Sequence, residues 1–368
     1  MNFLSTVLYV ILAVMVLLLM VLIHELGHYT AGRILNFKIT EFSVGFGKAL
    51  FSKTNKRGEK ISLRLFPLGG YCAFKGENEG EDGPDCFNSQ KPWKRVIVYL
   101  AGVTFNILSA IIFSFVLLVS FGYDIPEVAS IDPNYLYSSQ FEIGDAIYAI
   151  NDEKIDFVVG NTYSKLISKY NEGEDITLKV KRDGKFIELT VRLQQAFDTD
   201  NKLLFDSNNN PVLRFGITTK SHPLSFGESL ARCVPFTAGL VWMVLKSFWM
   251  LITFQIPISE IGGPITTISV IANQTKTGGL ATFLFMLPLI AANLGVFNLL
   301  PFPALDGSHV VFTVIEWIRK KPINRTVEAY IHFGGLVLLF GLVIVVDIIH
   351  LVSWPNKKDR LWIQLQKN

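Results

Sequence analysis

The chain has 368 residues, of which 50% are hydrophobic and 18% charged, with a formal net charge of +3 and a mean hydropathy of +0.38. Several apolar runs approach the roughly 20 residues needed to cross a bilayer, which sets aside a soluble globular enzyme, and so small a net charge makes no case for nucleic acid. Three cysteines at wide spacings, Cys72, Cys86 and Cys233, suit neither a disulfide framework nor a thiolate metal site, so a bound metal would be held by nitrogen and oxygen.

Residues 4–23 form a nearly unbroken apolar run that continues into HELGH. With no basic residue ahead of the run and no small-residue cleavage site, it reads as a retained spanning helix ending near Leu35 rather than a signal peptide. His24 and His28 stand four residues apart, which stacks both imidazoles on one helix face where they can grip one zinc ion. Glu25, the next residue round, is placed to take a proton from water at that ion.

Residues 36–95 are polar and rich in Lys and Arg, so the positive-inside rule puts this loop in the cytoplasm and the N-terminus outside. At a rise of 1.5 Å per residue, His24 then lies about 13 Å from the inner end of the helix at Arg33. Two strand-like stretches flank the turn-rich TNKRGEK, and the glycines of VGFG and PLGGY, Gly69 and Gly70 among them, allow sharp bends. Such a hairpin, dipping toward the zinc, has an edge able to pair with an extended peptide; an ordinary cytoplasmic hairpin is the alternative. Residues 96–122 make the second span, in which Asn106 reads as a helix-packing residue near Gly102.

Residues 123–225 change to a polar, turn-rich pattern, with ITLKVKRDGKFIELTVRL forming two strands about an Asp-Gly turn. GDAIYAINDEKI, with Gly144 and Asp145 ahead of an apolar strand, looks like part of a PDZ domain; a plain β-rich spacer is the alternative. Residues 226–254 are apolar enough to span, yet Trp242, Lys246 and Trp249 suit an amphipathic helix lying in the interface. Parity favours the interface, because a span here would leave Asp306 across the membrane from His24. The next span, beginning at 279, ends in NLLPFPALDG, where Pro301 and Pro303 break the helix at membrane depth. Asp306 follows the break and is the natural oxygen ligand to complete two histidines. Arg319, Lys320, Lys321 and Arg325 put the following loop on the same side as the first basic loop. Residues 328–354 form the last span, with His332, Asp347 and His350 read as capping or packing, and His309 as a first-turn residue facing water.

HELGH, GFG, PLGGY, GGPI at 262–265 and NLLPFPALDG together resemble the site-2 protease family of intramembrane zinc metalloproteases, specifically its bacterial RseP/RasP-like branch with a single PDZ domain. The resemblance covers nearly the whole chain. It implies an α-helical polytopic membrane protein of four transmembrane helices, a membrane-associated β-hairpin loop and an inserted extracytoplasmic PDZ-like domain. The segments would be 1–35, 36–95, 96–122, 123–225, 226–278, 279–305, 306–327, 328–354 and a tail at 355–368. It implies one Zn2+ per chain held by His24, His28 and Asp306, Glu25 as catalytic base, and Asn298, Asn293, Gly69 and Gly70 contacting substrate. It also implies single-span substrates, anti-sigma factors or remnant signal peptides, pre-cut by a site-1 protease and admitted by the external domain, in a bacterial inner membrane. Val103 and Ser308 depart from the family pattern without touching a proposed ligand. A non-proteolytic, membrane-anchored PDZ adaptor or chaperone with a structural metal site, and an ion or metal transporter, are the rival readings; a base beside two histidines argues against the first, and the large external domain does little for the second.

Overall fold

The computed structural model describes residues 3–77, 83–122, 125–155, 162–197, 202–205, 211–255 and 263–366. Two compact units divide the chain, one of residues 1–113 with 241–368 and one of residues 114–240. The first contains α1 (Phe3–Ile34), the strands β1 (Ile39–Thr54) and β2 (Lys60–Phe74), the start of α2 (Pro92–Ser120) and the end of α4 (Phe226–Ile252), then α5 (Pro264–Leu299), α6 (Asp306–Arg319) and α7 (Arg325–Gln366).

Among the described residues, five helices are long and apolar enough to cross a membrane, lying in α1, α2, α4, α5 and α7. The sequence suggests four, with the fourth helix in the interface. α4 has the lowest mean hydropathy of the five, 1.5 against 2.1 to 3.1, and exposes Trp242 and Trp249, a composition suited to either placement. α5 is longer than the span expected from residue 279, because helix also forms over 264–278. Gly279, at φ 64° and ψ −153°, separates the two halves, a conformation that a side chain would resist. The upstream half is seated on α1 through Ile268, Ile271 and Ala272 against Tyr9, Ala13 and Leu17.

Asp347, read from sequence as a capping or packing residue, caps a helix other than its own. Its carboxylate accepts from the Thr266 hydroxyl at 2.9 Å and the Thr266 amide at 3.3 Å, at the start of α5. Gly263 leaves room for it, since a Cβ there would come 2.5 Å from the carboxylate. Gly262 and the side chain of His350 lie outside the described residues.

The β1–β2 hairpin folds over on itself. Residues 41–44 pair with 70–73 and also with 60–63, while 51–54 pair back onto 60–63. Gly45 (φ 87°), Gly47 (φ 82°) and Gly69 (φ 145°) occupy the bends, and at Gly69 a Cβ would meet the Phe46 ring at 2.1 Å. Phe46, Leu50, Phe51, Leu63, Leu65 and Phe66 are exposed on this layer. Its charged centre is Glu41, which accepts from the Ser62 hydroxyl and from Arg64 Nη2 at 2.7 Å. Arg64 also donates to the Gly47 carbonyl at 2.6 Å and lies over Tyr71.

The second unit is built on an antiparallel sheet ordered β10 (Ile217–Ser221), β3 (Pro126–Ile131), β4 (Ala146–Ile150), β6 (Asp175–Arg182), β7 (Lys185–Arg192), with β5 (Glu153–Lys154) against β4. The sheet falls inside the 123–225 stretch marked out by composition. α3 (Tyr163–Ile167) and a two-stranded piece, β8 (Gln194–Gln195) with β9 (Leu213–Arg214), complete it. Alternation along β6 buries Ile176, Leu178 and Val180 with Val128, Ile147, Ile150 and Phe215. Asp183 and Gly184, at φ 49° and 79°, close the β6–β7 hairpin in the left-handed turn that Asp-Gly favours. Asp145 is buried and bridged by Arg182 through two bonds of 2.7 and 2.6 Å, so in GDAI it is a pin between strands.

Burial opposes the Glu41 charge, but bonds from Ser62, Arg64 and Tyr71 outweigh it and hold the carboxyl down to about 2. A depressed value means that the pairing stabilises the hairpin fully above the ordinary glutamate value of 4.5 and that this contribution is lost as pH falls toward 2. Hydrogen exchange corrected for intrinsic rate should show protection at 41–44 and 60–63 declining between about pH 5 and pH 3. Glu41→Gln should lower that protection at neutral pH and remove its pH dependence.

Candidate metal centre

α1 is apolar all round, so its helix is set by continuous burial or lipid contact rather than by one stripe. His24 and His28 are nevertheless buried in protein, at 6% and 8% exposure. They cross edge to face at 4.8 Å, with Nε2 atoms 3.1 Å apart.

What covers them is one stripe of α2, residues Val98, Gly102 and Asn106 at successive four-residue steps. A Cβ on Gly102 would come 2.5 Å from His28 Nε2 and 2.8 Å from His24 Nε2, and one on Gly27 would lie 2.4 Å from the Ala101 carbonyl oxygen. The two glycines therefore let the α1 and α2 backbones touch at the histidines.

The stripe also sets the histidine tautomers. His28 Nδ1 lies 2.8 Å from the Val98 carbonyl, and a carbonyl only accepts, so Nδ1 carries the hydrogen and the neutral ring presents its lone pair at Nε2. His24 Nδ1 lies 2.9 Å from the Asn106 side-chain amide and 3.5 Å from Asn298 Nδ2. With its nitrogen toward the ring, Asn106 leaves Oδ1 buried and without a donor, a loss of about 1–3 kcal/mol. Turned end for end, the amide oxygen accepts from His24 Nδ1–H. We assign that orientation, which frees His24 Nε2 as well.

Asp306 arrives from the far end of the sequence. After α5 the chain passes Pro301 and Pro303, turns at Ala304 with φ 78°, and begins α6 at Asp306. Gly307 is required where the new helix folds back on the old one, since a Cβ would fall 2.2 Å from the Leu299 carbonyl oxygen. The Asp306 Oδ2 atom then stands 3.0 Å from His24 Nε2 and 3.3 Å from His28 Nε2. It is buried without a hydrogen-bond donor.

These three atoms form a triangle of 3.0, 3.1 and 3.3 Å. Tetrahedral coordination at about 2.0–2.1 Å spaces neighbouring donors about 3.3 Å apart, so the triangle fits one face around a zinc ion. Three lone pairs converging with no proton between them repel one another unless a cation lies among them, and the N2O donor set fits such an ion.

The sequence-derived site residues are thus brought together unevenly. His24, His28 and Asp306 converge, and Asn298 reaches their edge. Glu25 lies beside the hairpin, its Cγ only 3.1 Å from where a Cβ on Gly70 would be, so Gly70 meets Glu25 while Gly69 packs on Phe46. Asn293 is exposed on α5, outside the triangle. Asn106, expected to be a helix-packing residue, makes its interhelical bond to His24. Its spacing of four from Gly102 was the available signal.

A second cluster, His309, Glu328 and His332, also gathers potential ligand atoms but is arranged differently. The two imidazoles stack at 4.0 Å and 9°, and parallel rings cannot both aim in-plane lone pairs at one ion. His332 Nδ1 accepts from the Ala304 amide at 3.0 Å, steadying the left-handed residue two before Asp306. His309, read as facing water, is only partly exposed: its ring is sandwiched between His332 and Tyr99, the latter at 4.9 Å. Burial and the neighbouring His332 push its imidazole down to about 4.

Gly102→Ala should therefore reduce metal content to near background while the helical content survives. Asn106→Ala, which removes only the bond to His24, should weaken metal binding roughly 10–100-fold in a chelator titration. Unchanged binding in Asn106→Ala would assign the residue back to helix packing.

A family model described as Peptidase family M50 matches residues 12–342, a stretch that includes both HELGH and LDG. A protein of Fusobacterium nucleatum is 29% identical over 342 residues, 92% of this chain and 97% of that one. Relatives from Campylobacter jejuni and Clostridium perfringens are each 30% identical, over 90% of both chains in the first case and over 92% and 97% in the second. All three carry the name "Putative zinc metalloprotease". With two histidines on one helix and an aspartate after a broken one, and with a match over most of its length, the chain belongs to Peptidase family M50, the site-2 protease family of metallopeptidases.

Proposed function

We propose that the chain is an intramembrane zinc endopeptidase that hydrolyses peptide bonds within the spanning segments of single-span substrates. In this reading one Zn2+ per chain is held by His24, His28 and Asp306, and Glu25 is the catalytic base. The observation that carries it is the meeting of two imidazole Nε2 atoms with a carboxylate oxygen that has no hydrogen-bond donor. When bound, zinc supplies Lewis acidity toward the scissile carbonyl and toward water. Glu25 takes the proton from the attacking water and returns it to the leaving amine nitrogen.

The hairpin supplies what a helical substrate lacks. A spanning helix has its carbonyls bonded internally, so it must be drawn out before attack. Residues 70–73 pair on one side with 41–44, and Gly70 adjoins Glu25, so a substrate added along this strand would lie extended beside the base. Gly70 adds no side chain to that edge, and Gly69, packed under the Phe46 ring, contacts the substrate beside it. Asn298 Nδ2, at the rim of the donor triangle, orients the substrate carbonyl, and Asn293 contacts the substrate further along α5.

Four spans, with α4 in the interface, place the basic loops at 36–95 and 306–327 on the cytoplasmic face and the 123–225 domain outside a bacterial inner membrane. The 3.0 Å approach of Asp306 to His24 supports this parity, because a further span before α5 would carry Asp306 to the opposite face. The external domain, read as PDZ-like, admits substrates already shortened by a site-1 protease, with anti-sigma factors and remnant signal peptides as the candidate classes in regulated intramembrane proteolysis.

Glu25→Gln should retain the metal and lower cleavage of a model membrane peptide by about 10²–10⁴; undiminished cleavage removes Glu25 as the base. Asp306→Ala should lose metal as measured on purified protein, and full occupancy would take Asp306 out of the donor set.

A further inference from the structure

At one membrane face, where α2 and α7 both begin, a recess of about 410 Å³ opens between the start of α2 and the turn from α6 into α7. Arg95, Glu316, Trp317, Lys320, Lys321 and Arg325 are among its walls. Much of the charge is internally balanced. Glu316 takes Arg95 Nη2 at 2.6 Å and Arg325 Nη2 at 2.9 Å, and Glu328 takes Arg325 Nη1 at 2.7 Å.

Three features remain unbalanced. Lys320 and Lys321 have no carboxylate partner among the described residues. Arg95 is 4% exposed and adds positive charge beneath the recess, its Nε hydrogen buried without an acceptor. The α6 surface adjoining the recess is apolar and outward, with Val311, Ile315, Trp317 and Ile318 exposed.

We propose that this recess is a binding site for the phosphate head group of an anionic phospholipid, its phosphodiester oxygens meeting Lys320 and Lys321 above the buried Arg95 guanidinium and its acyl chains lying over the exposed face of α6. Two helix ends that mark the border of the hydrocarbon layer put the recess at head-group depth. Basic recesses between spanning helices bind such head groups, and a tryptophan at the rim suits the same depth. A free phosphate ion would satisfy the cations but leave the apolar face of α6 unaccounted for, which is why a lipid is the occupant argued here.

The test uses the full-length protein exchanged into nanodiscs of phosphatidylcholine alone or mixed with phosphatidylglycerol, then transferred to detergent for native mass spectrometry. Retained phosphatidylglycerol without retained phosphatidylcholine is expected. In Lys320→Asn/Lys321→Gln, retention should fall roughly 30-fold, the equivalent of ~1 kcal/mol for each juxtamembrane lysine. Asparagine is chosen because Lys320 sits at φ 53°, a conformation it tolerates. Should the double variant lose its metal content, Lys321→Gln alone carries the same comparison at about fivefold. Equal retention of the two lipids, or unaltered retention in a variant with normal metal content, overturns the proposal. Inorganic phosphate raising the melting temperature of the detergent-solubilised protein as much as phosphatidylglycerol does would also overturn it, reassigning the recess to a soluble anion.

Discussion

The first unit of this protein is organised by an electrostatic demand: three lone-pair atoms, from His24, His28 and Asp306, held within 3.3 Å of one another where water is largely excluded. In a low-dielectric interior such a cluster is unfavourable by itself and becomes favourable around a cation. Local chain geometry puts two of the atoms on adjacent turns of α1 at no conformational cost. The third has to be delivered, and delivery is what shapes the neighbouring structure. Helix α5 stops, the chain reverses through a left-handed residue, and a fresh helix opens on the ligand. Backbone freed by that stop finds new partners, His332 taking up the Ala304 amide and turn carbonyls taking up those of Leu300 and Leu305.

Close helix approach is the second requirement, and side-chain volume controls it. Gly27 and Gly102 bring α1 and α2 together so that Val98 and Asn106 can hold the outer nitrogens of the two imidazoles. A histidine whose Nδ1 hydrogen is engaged by an oxygen has only its Nε2 lone pair to offer, so the second helix fixes protonation as well as position. Few other side chains could serve at 102, because any added atom would occupy the space in which the donors meet.

The local features of this arrangement were legible in the residues, and the long-range ones were not. HELGH encodes its own geometry, since a helix fixes the four-residue offset. The prolines of NLLPFPALDG announce a break, and Asp183-Gly184 announces a hairpin. Asn106 gave only the weaker sign of a polar residue in an apolar span, because its partner is 82 positions away. His309 and His332 were undervalued for the same reason: their meaning lies in Tyr99, Ala304 and each other, none of which sequence spacing relates. The folding over of the β1–β2 hairpin escaped as well. Glycines at 45, 47 and 69 indicate bends, but not that 41–44 would be paired on both sides. The helical stretch ahead of Gly279 was hidden by its many threonines, a weak helix-forming composition overridden by packing against α1.

The buried charges behind Asp306 can be weighed in the same way. Arg95 and Glu316 have side chains only 5% exposed, and taking such a pair out of water costs about as much as their attraction returns. Net stability is therefore a poor explanation for them. Geometry is a better one. Glu316 joins the start of α2 to α6, holds the Ile323 amide at 2.9 Å in the turn that follows, and meets Arg325 at the head of α7. Arg325 engages Glu328, and one turn further along α7 His332 receives the Ala304 amide. Each link is directional, so the network fixes the angle at which α6 and α7 leave the broken end of α5. An apolar replacement of equal volume would fill the space but would leave that angle free to slide, and the carboxylate at the tip of α6 has little tolerance for sliding: an ångström of displacement would open the donor triangle beyond the reach of a single ion.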